Sequence, residues 1–259
     1  HCERHADRLA LLDPPFSTIS DVRLGLTAIE AWRKQFDSKY AALYYPWLRV
    51  VDPIPGGQRL TRDIPPSGHV AGFFAATDRA VGVHKAPANG PLVWLQDVTT
   101  PIDETGHGDL NDASINAIRA LPGRGLRIMG ARMLSSDSDW RYVNVRRLLI
   151  MIERALRLAC RWAVFEPNSP ATRTKLHLSL SGFLLKLWQQ GALAGAVPSE
   201  AFFVNCSDIN NPPEARDRGE LLAEVGVAPS VPFEFVVVRV GRADNEFEIT
   251  EDTAQGGGR

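Results

Sequence analysis

The sequence predicts a mixed α/β (α+β) fold. Two amphipathic helices dominate the second half, short β-branched and aromatic runs alternate with helical segments, and proline- and glycine-rich loops separate the pieces. The 259 residues are 44% hydrophobic and 23% charged, a globular composition that excludes collagen, low-complexity chains and full-length disorder. At roughly 150 residues per domain, this length suits one large domain or two small ones. Lys+Arg number 29 against 30 Asp+Glu, a formal net charge of -1, whereas a dedicated nucleic-acid binder is far more basic. Cys2, Cys160 and Cys206 are too few and too scattered for a disulfide framework and fit a reducing compartment. No apolar run reaches the roughly 20 residues of a membrane span. His1-Cys2-Glu3-Arg4-His5 opens the chain without a signal-like apolar region or an initiator Met. That start predicts a piece of a longer protein.

Residues 1–12 read as a helix end and a short strand, Arg8 to Leu12, stopped by Asp13-Pro14-Pro15. Ser20 is the expected cap of a helix to about Ser38, with Val22, Leu26, Ile29, Trp32 and Phe36 on one side. Tyr40 to Val51 reads as a buried strand broken at Pro46. Residues 52–68 read as a loop, and Val70 to Thr77 as a tight loop or a helix packed closely through Ala71 and Gly72. Residues 82–89 look irregular, 91–98 a strand, 110–119 a short helix capped by Asp109, and Leu126 to Leu134 a strand.

The helix signal is strongest over Tyr142 to Trp162, where Leu148, Ile152, Leu156 and Cys160 recur at i, i+4. Ala163 to Phe165 reads as a short strand. A second helix is expected over Thr172 to Gln190, striped by Leu176, Leu180, Phe183, Leu184 and Leu187 and ended by Gly191. Ala201 to Cys206 reads as a strand, Pro213 to Val225 as a polar helix, and Phe233 to Val240 and Glu246 to Thr250 as strands, with a disordered tail after them.

None of the chemical constellations is specific. His1 and His5 have helical zinc spacing, but Cys2 stands where a metalloprotease motif needs Glu, so a solvated helix end is expected. Ser67 and His69 suggest a serine hydrolase, yet Pro65-Pro66-Ser67-Gly68-His69 is no nucleophile elbow. Asp103, Glu104, His107 and Asp109 crowd one loop without EF-hand spacing. Gly123-Arg124-Gly125 lacks the Lys-Ser/Thr of a phosphate loop. Over residues 141–161 six arginines face one glutamate, which suits either an anionic partner or a plain amphipathic face.

The loops carry more information in combination. Pro65 to Gly72, Thr77-Asp78-Arg79, Gly82 to Asn89, Ile115-Asn116, Gly123-Arg124-Gly125 and Gly130-Ala131-Arg132 follow one another in order. Trp140 to Leu148, Phe165-Glu166-Pro167-Asn168, Leu187-Trp188, Gly191-Ala192-Leu193 and Pro232-Phe233-Glu234-Phe235-Val236 continue the series. In this order, over about residues 40–240, they resemble the contractile tail sheath proteins of phage tails and phage-tail-like injection particles.

That resemblance implies a subtilisin-like-shaped middle domain, without protease chemistry, and a C-terminal α/β domain whose sheet is open to strand augmentation. The implied division is 1–122, truncated at its N-terminus, then 123–243, then an arm and tail over 244–259. It further implies hexameric rings stacked around an inner tube, contraction through a target membrane, and baseplate and tail terminator partners. No cofactor, metal, nucleic acid or membrane insertion is implied, and the expected setting is the bacterial cytoplasm during assembly, then the particle. Strand exchange between subunits would use Phe233, Phe235, Val237, Phe247 and Ile249, with Arg242 to Asn245 as hinge. Candidate tube contacts are Arg216, Asp217, Arg218 and Glu220, with the Arg-rich helix as second choice. The competing expectations are the serine hydrolase using Ser67 and His69 and a monomeric binding module of the same fold.

Overall fold

The computed structural model describes residues 1–19, 25–54, 60–232, 234, 237–243 and 246–252. Ser20, Val22, Phe233, Phe235, the hinge residues Asp244 and Asn245 and the tail from residue 253 lie outside them. The first half holds α1 (Cys2–His5), β1 (Ala10–Leu12), α2 (Phe16–Ile19), α3 (Gly25–Arg33), β2 (Ala41–Tyr45), β3 (Leu48–Val51), β4 (Thr61–Ile64), α4 (Ser67–Ala80), β5 (Asp97–Val98), α5 (Glu104–Asp112), β6 (Ile115–Leu121) and β7 (Gly125–Ile128).

Its sheet runs β1-β2-β6-β7, with β1, β2 and β6 parallel and β7 antiparallel to β6. Every residue of β2 is buried, as a central parallel strand covered on both faces requires. Ala42 and Tyr44 point into one core with Val70 and Phe74 of α4. Ala41, Leu43 and Tyr45 point into the other with Ile29 of α3 and Leu110 of α5. The strand expected over 40–51 does break at Pro46, and β3 then joins a small sheet, β4-β3-β5.

The second half is α6 (Val143–Ala159), α7 (Pro170–Gln189), α8 (Pro198–Ala201), β8 (Phe202–Asn205), α9 (Pro213–Asp217), β9 (Glu224–Val227), β10 (Val237–Ala243) and β11 (Glu246–Asp252). Leu148 and Ile152 of α6 meet Leu184 and Leu187 of α7, each side chain contributing about 1.5–3 kcal/mol when fully buried. Ser169 caps α7, its hydroxyl accepting the Thr172 N–H at 3.2 Å. Gly191, at φ 76°, closes the other end: its N–H reaches the Trp188 carbonyl and the Ala192 N–H the Leu187 carbonyl, both at 2.9 Å. Strand β8 pairs antiparallel with β9, and β10 with β11.

Several expectations need correction. The helix expected at 110–119 is α5, capped by Asp103 rather than Asp109, and Ile115 onward is strand β6. Alternate side chains of β6 enter opposite cores, so no polar/apolar alternation marks it in the sequence. Helix α4 buries Val70 and Phe74, while Ala71 and Gly72 face solvent, so there is no close approach through them. Strand β4 arises inside the expected loop because Thr61 to Ile64 pair with β3. Of residues 91–98 only Asp97 and Val98 form a strand element, and Trp94 turns out at φ 64° with 90% exposure. Residues 161–163 form a 3-10 turn, not a strand, and Phe165 follows at φ 72°. The polar helix shrinks to α9, ended by Gly219 at φ 75°. Strand β7 stops at Ile128.

Candidate functional site

Side chains that suggested catalysis are occupied by the scaffold. Asp13, which ends β1, accepts the Ser67 N–H at 2.9 Å and the Ser67 hydroxyl at 2.6 Å. Its carboxylate thereby serves the first turn of α4, where the free N–H groups and helix dipole favour an anion. Among the described residues Ser67 has no hydrogen bond to His69, whose imidazole burial pushes to a lower pKa. A nucleophile and base in contact are what a hydrolase needs. The rings of His1 and His5 lie 4.4 Å apart. In the acidic loop, Asp103 caps α5, Glu104 pairs with Arg119 at 2.9 Å, and His107 Nε2 lies 2.8 Å from the Met129 carbonyl. Arg119 holds the Glu104 carboxyl below its ordinary pKa. Among the described residues no group of three or more His, Cys, Asp or Glu could hold a metal ion, and no helix is long and apolar enough to cross a membrane.

The arginines of α6 divide into two groups. Arg146 is buried, its guanidinium 4.5 Å from the Tyr40 ring centre and 3.1 Å from Glu153. Arg147 forks onto both oxygens of Asp78 and lies over the Phe74 ring at 4.6 Å. These two fasten α6 to the first half. Arg154 and Arg157, with Arg161 just past the helix, are exposed and form no ion pair among the described residues. With Asp7 and Arg8 they line a cleft of about 380 Å3.

The α9 turn brings Arg216, Asp217, Arg218 and Glu220 together. Arg218 makes two bonds to Glu220, at 2.9 and 2.8 Å, in the open. The pair raises the Arg218 pKa and lowers that of Glu220. Arg216 and Asp217 stand on the rim of a cleft of about 1060 Å3 lined by Leu176, Leu222 and the fully exposed Phe165.

At the C-terminal end, β10 and β11 form a seven-pair ladder, with Val240 opposite Ile249, Arg242 opposite Phe247 and Val237 opposite Asp252. The ladder meets no other described strand. Its root is held by a pair that the sequence reading passed over. Arg132 Nε lies 2.9 Å from Glu234 Oε1 and Nη2 lies 2.5 Å from Oε2. Each partner belongs to a family-like loop motif, Gly130-Ala131-Arg132 or Pro232-Phe233-Glu234, and their opposite charges were the available signal.

The family model for the phage tail sheath protein central domain matches residues 24–133. That for the phage tail sheath C-terminal domain matches residues 135–241. A putative prophage major tail sheath protein of Pseudomonas aeruginosa (strain UCBPP-PA14) is 30% identical over 191 residues, covering 71% of this chain and 46% of the relative. The tail sheath protein of Vibrio phage KVP40 is 23% identical over 262 residues, covering 95% of this chain and 38% of the relative. The chain thus spans less than half the length of these curated relatives. Among solved structures, the contracted PVC sheath complex of an extracellular contractile injection system matches with a TM-score of 0.80 and 34% identity, over 91% of this chain and 64% of that one. The contracted helical sheath of the anti-feeding prophage matches with a TM-score of 0.73 and 33% identity, over 90% of this chain and 70% of that one.

Proposed function

Because this chain belongs to the phage tail sheath family, we propose that it is the central and C-terminal portion of a contractile sheath subunit. In this reading, subunits stack as hexameric rings around an inner tube, between baseplate and terminator, and contract to drive the tube through a target membrane. The family is one of structural proteins, not enzymes, and Ser67 and His69 form no hydrolase pair. The observation that carries the reading is the tiling of two sheath domain models, in order, over residues 24–241. The subunit assembles in the bacterial cytoplasm and then serves in the tail or tail-like particle. The division into a first part to residue 122, a second over 123–243 and an arm and tail over 244–259 belongs to this proposal; the β6–β7 ladder, which pairs Leu121 with Gly125, favours a break a few residues later, after β7. The subtilisin-like shape of the central part belongs to this proposal.

Neighbours are linked through the C-terminal strands. The β10–β11 ladder has outer edges unpaired among the described residues, and such an edge accepts another chain by main-chain hydrogen bonds. Val237, Phe247 and Ile249 lie in this ladder and Phe233 and Phe235 precede it. In the single chain β11 lies against its own β10, so exchange either opens that ladder or extends it.

The test is negative-stain microscopy of the full-length protein assembled with its tube protein. Striated cylinders in two lengths are expected. Deleting residues 243–259 should abolish the cylinders while the subunit stays folded by circular dichroism. Cylinders of normal length and order from the truncated protein would remove the strand-exchange reading.

A further inference from the structure

The segment between β9 and β10 is held to the second half over Ala228 to Ser230 and to the first half at Glu234. Ser230 is fixed to the second half: its N–H donates to the Ala192 carbonyl at 3.1 Å and its hydroxyl to the Gly191 carbonyl at 2.8 Å. Glu234 is fixed to the first half by Arg132. Of the described residues between them, Val231 is 57% exposed and Pro232 borders cavities of about 220 and 390 Å3. The ion pair ties the end of this strap to the first half.

The Arg132 end of that pair is rigidly built. Asn116, buried in β6, grips the Arg132 backbone on both sides: Oδ1 accepts its N–H at 2.6 Å and Nδ2 donates to its carbonyl at 2.8 Å. The guanidinium also donates from Nη1 to the Asn111 carbonyl at 2.6 Å, which leaves its Nε–Nη2 edge for the Glu234 carboxylate. The side chains of Arg132 and Glu234 are 11% and 18% exposed, so salt screens the pair weakly.

We propose that Arg132 is a positioning residue for the C-terminal strands: its clasp on Glu234 fixes where β10–β11 leaves the body and thereby sets the reach of those strands to a neighbouring subunit. This rests on the strand-exchange reading above. Among the described residues the next anchor is Ser230, so opening the clasp would release residues 231–234, about 13 Å of extra chain at roughly 3.3 Å per residue. A strand that must find its partner at a fixed spacing loses effective concentration when its tether lengthens.

The experiment uses the full-length subunit and its tube protein. Glu234→Gln keeps the shape of the clasp and removes the charge, and Arg132→Lys keeps the charge and removes the fork. In unassembled subunits, trypsin cleavage after Arg239 and Arg242 should be about tenfold faster in Glu234→Gln, the effect of losing one charge-assisted pair, with Arg132→Lys between it and the native protein and thermal melting of the body unchanged. Glu234→Gln should also give fewer and shorter cylinders. Four Gly/Ser residues inserted after Glu234, with the clasp intact, should give the same assembly loss, which a merely structural role would not produce. Equal cleavage in native protein and Glu234→Gln overturns the clasp. Faster cleavage with normal cylinders overturns its control of reach. A native protein that forms no cylinders refutes the sheath reading instead, and the cleavage comparison still decides the clasp.

Discussion

Asn116 shows how much structure one buried amide can organise. Its side chain donates to the carbonyls of Leu43 and Arg132 and accepts the Arg132 N–H, tying β2, β6 and the segment after β7 into one joint. Gly130 passes so close that a Cβ there would lie 2.8 Å from Asn116 Oδ1 and 3.0 Å from its Cα. Asn116→Ala should cost about 2–3 kcal/mol, because it strands buried partners. Gly130→Ala should cost about 1–3 kcal/mol through overpacking. The double variant should lose less than the sum, since removing the amide vacates part of the space the new methyl needs. Urea unfolding of all four proteins measures this, and strict additivity would refute the joint. Such roles were hidden in the sequence. Ser67 looked catalytic because its partner, Asp13, lies 54 residues away. Glu104 looked like a metal ligand because Arg119 is not its neighbour in the chain.

Elements were legible in proportion to how one-sided their burial is. Helix α7 buries one stripe, as does α6 beyond its fully buried first turn, and the periodicity found both, together with the Gly191 stop. Strand β6 is buried on both faces, so its Ile115 and Ile118 mimic helical spacing. Short edge elements such as β4 exist only because a partner strand pairs with them. The Gly191 stop makes a sharp prediction. At φ 76° an L side chain is strained, while no atom lies within 4 Å of a Cβ placed there. Gly191→Ala should therefore cost about 1–2 kcal/mol from backbone conformation alone. Gly191→Asn, which tolerates this region better, should cost less. Thermal melting of the two variants checks the order; equal losses would point to packing instead.

For the whole molecule, no single motif carried function, and order along the chain did. Dispersed loop motifs gave the family because they keep their sequence order where elements are hard to read. They did not give contacts: the Arg132–Glu234 pair joins motifs 102 residues apart. The surface proposed to meet the tube is likewise a property of the whole. In the proposed sheath reading, contact with an inner tube would have to template assembly yet release on contraction, which suits exposed charge better than apolar burial. The Arg218–Glu220 pair is more than half exposed on each side chain, so breaking it should leave folding nearly unchanged. Reversal to Glu at Arg216 and Arg218 together should then lower co-assembly with tube severalfold at low salt, with a smaller difference at high salt. The matching reversal at Arg154 and Arg157 on α6 should have the weaker effect. Co-sedimentation with preformed tube compares the two pairs at equal folding stability. If only the α6 pair matters, the basic face of α6 meets the tube and α9 faces elsewhere.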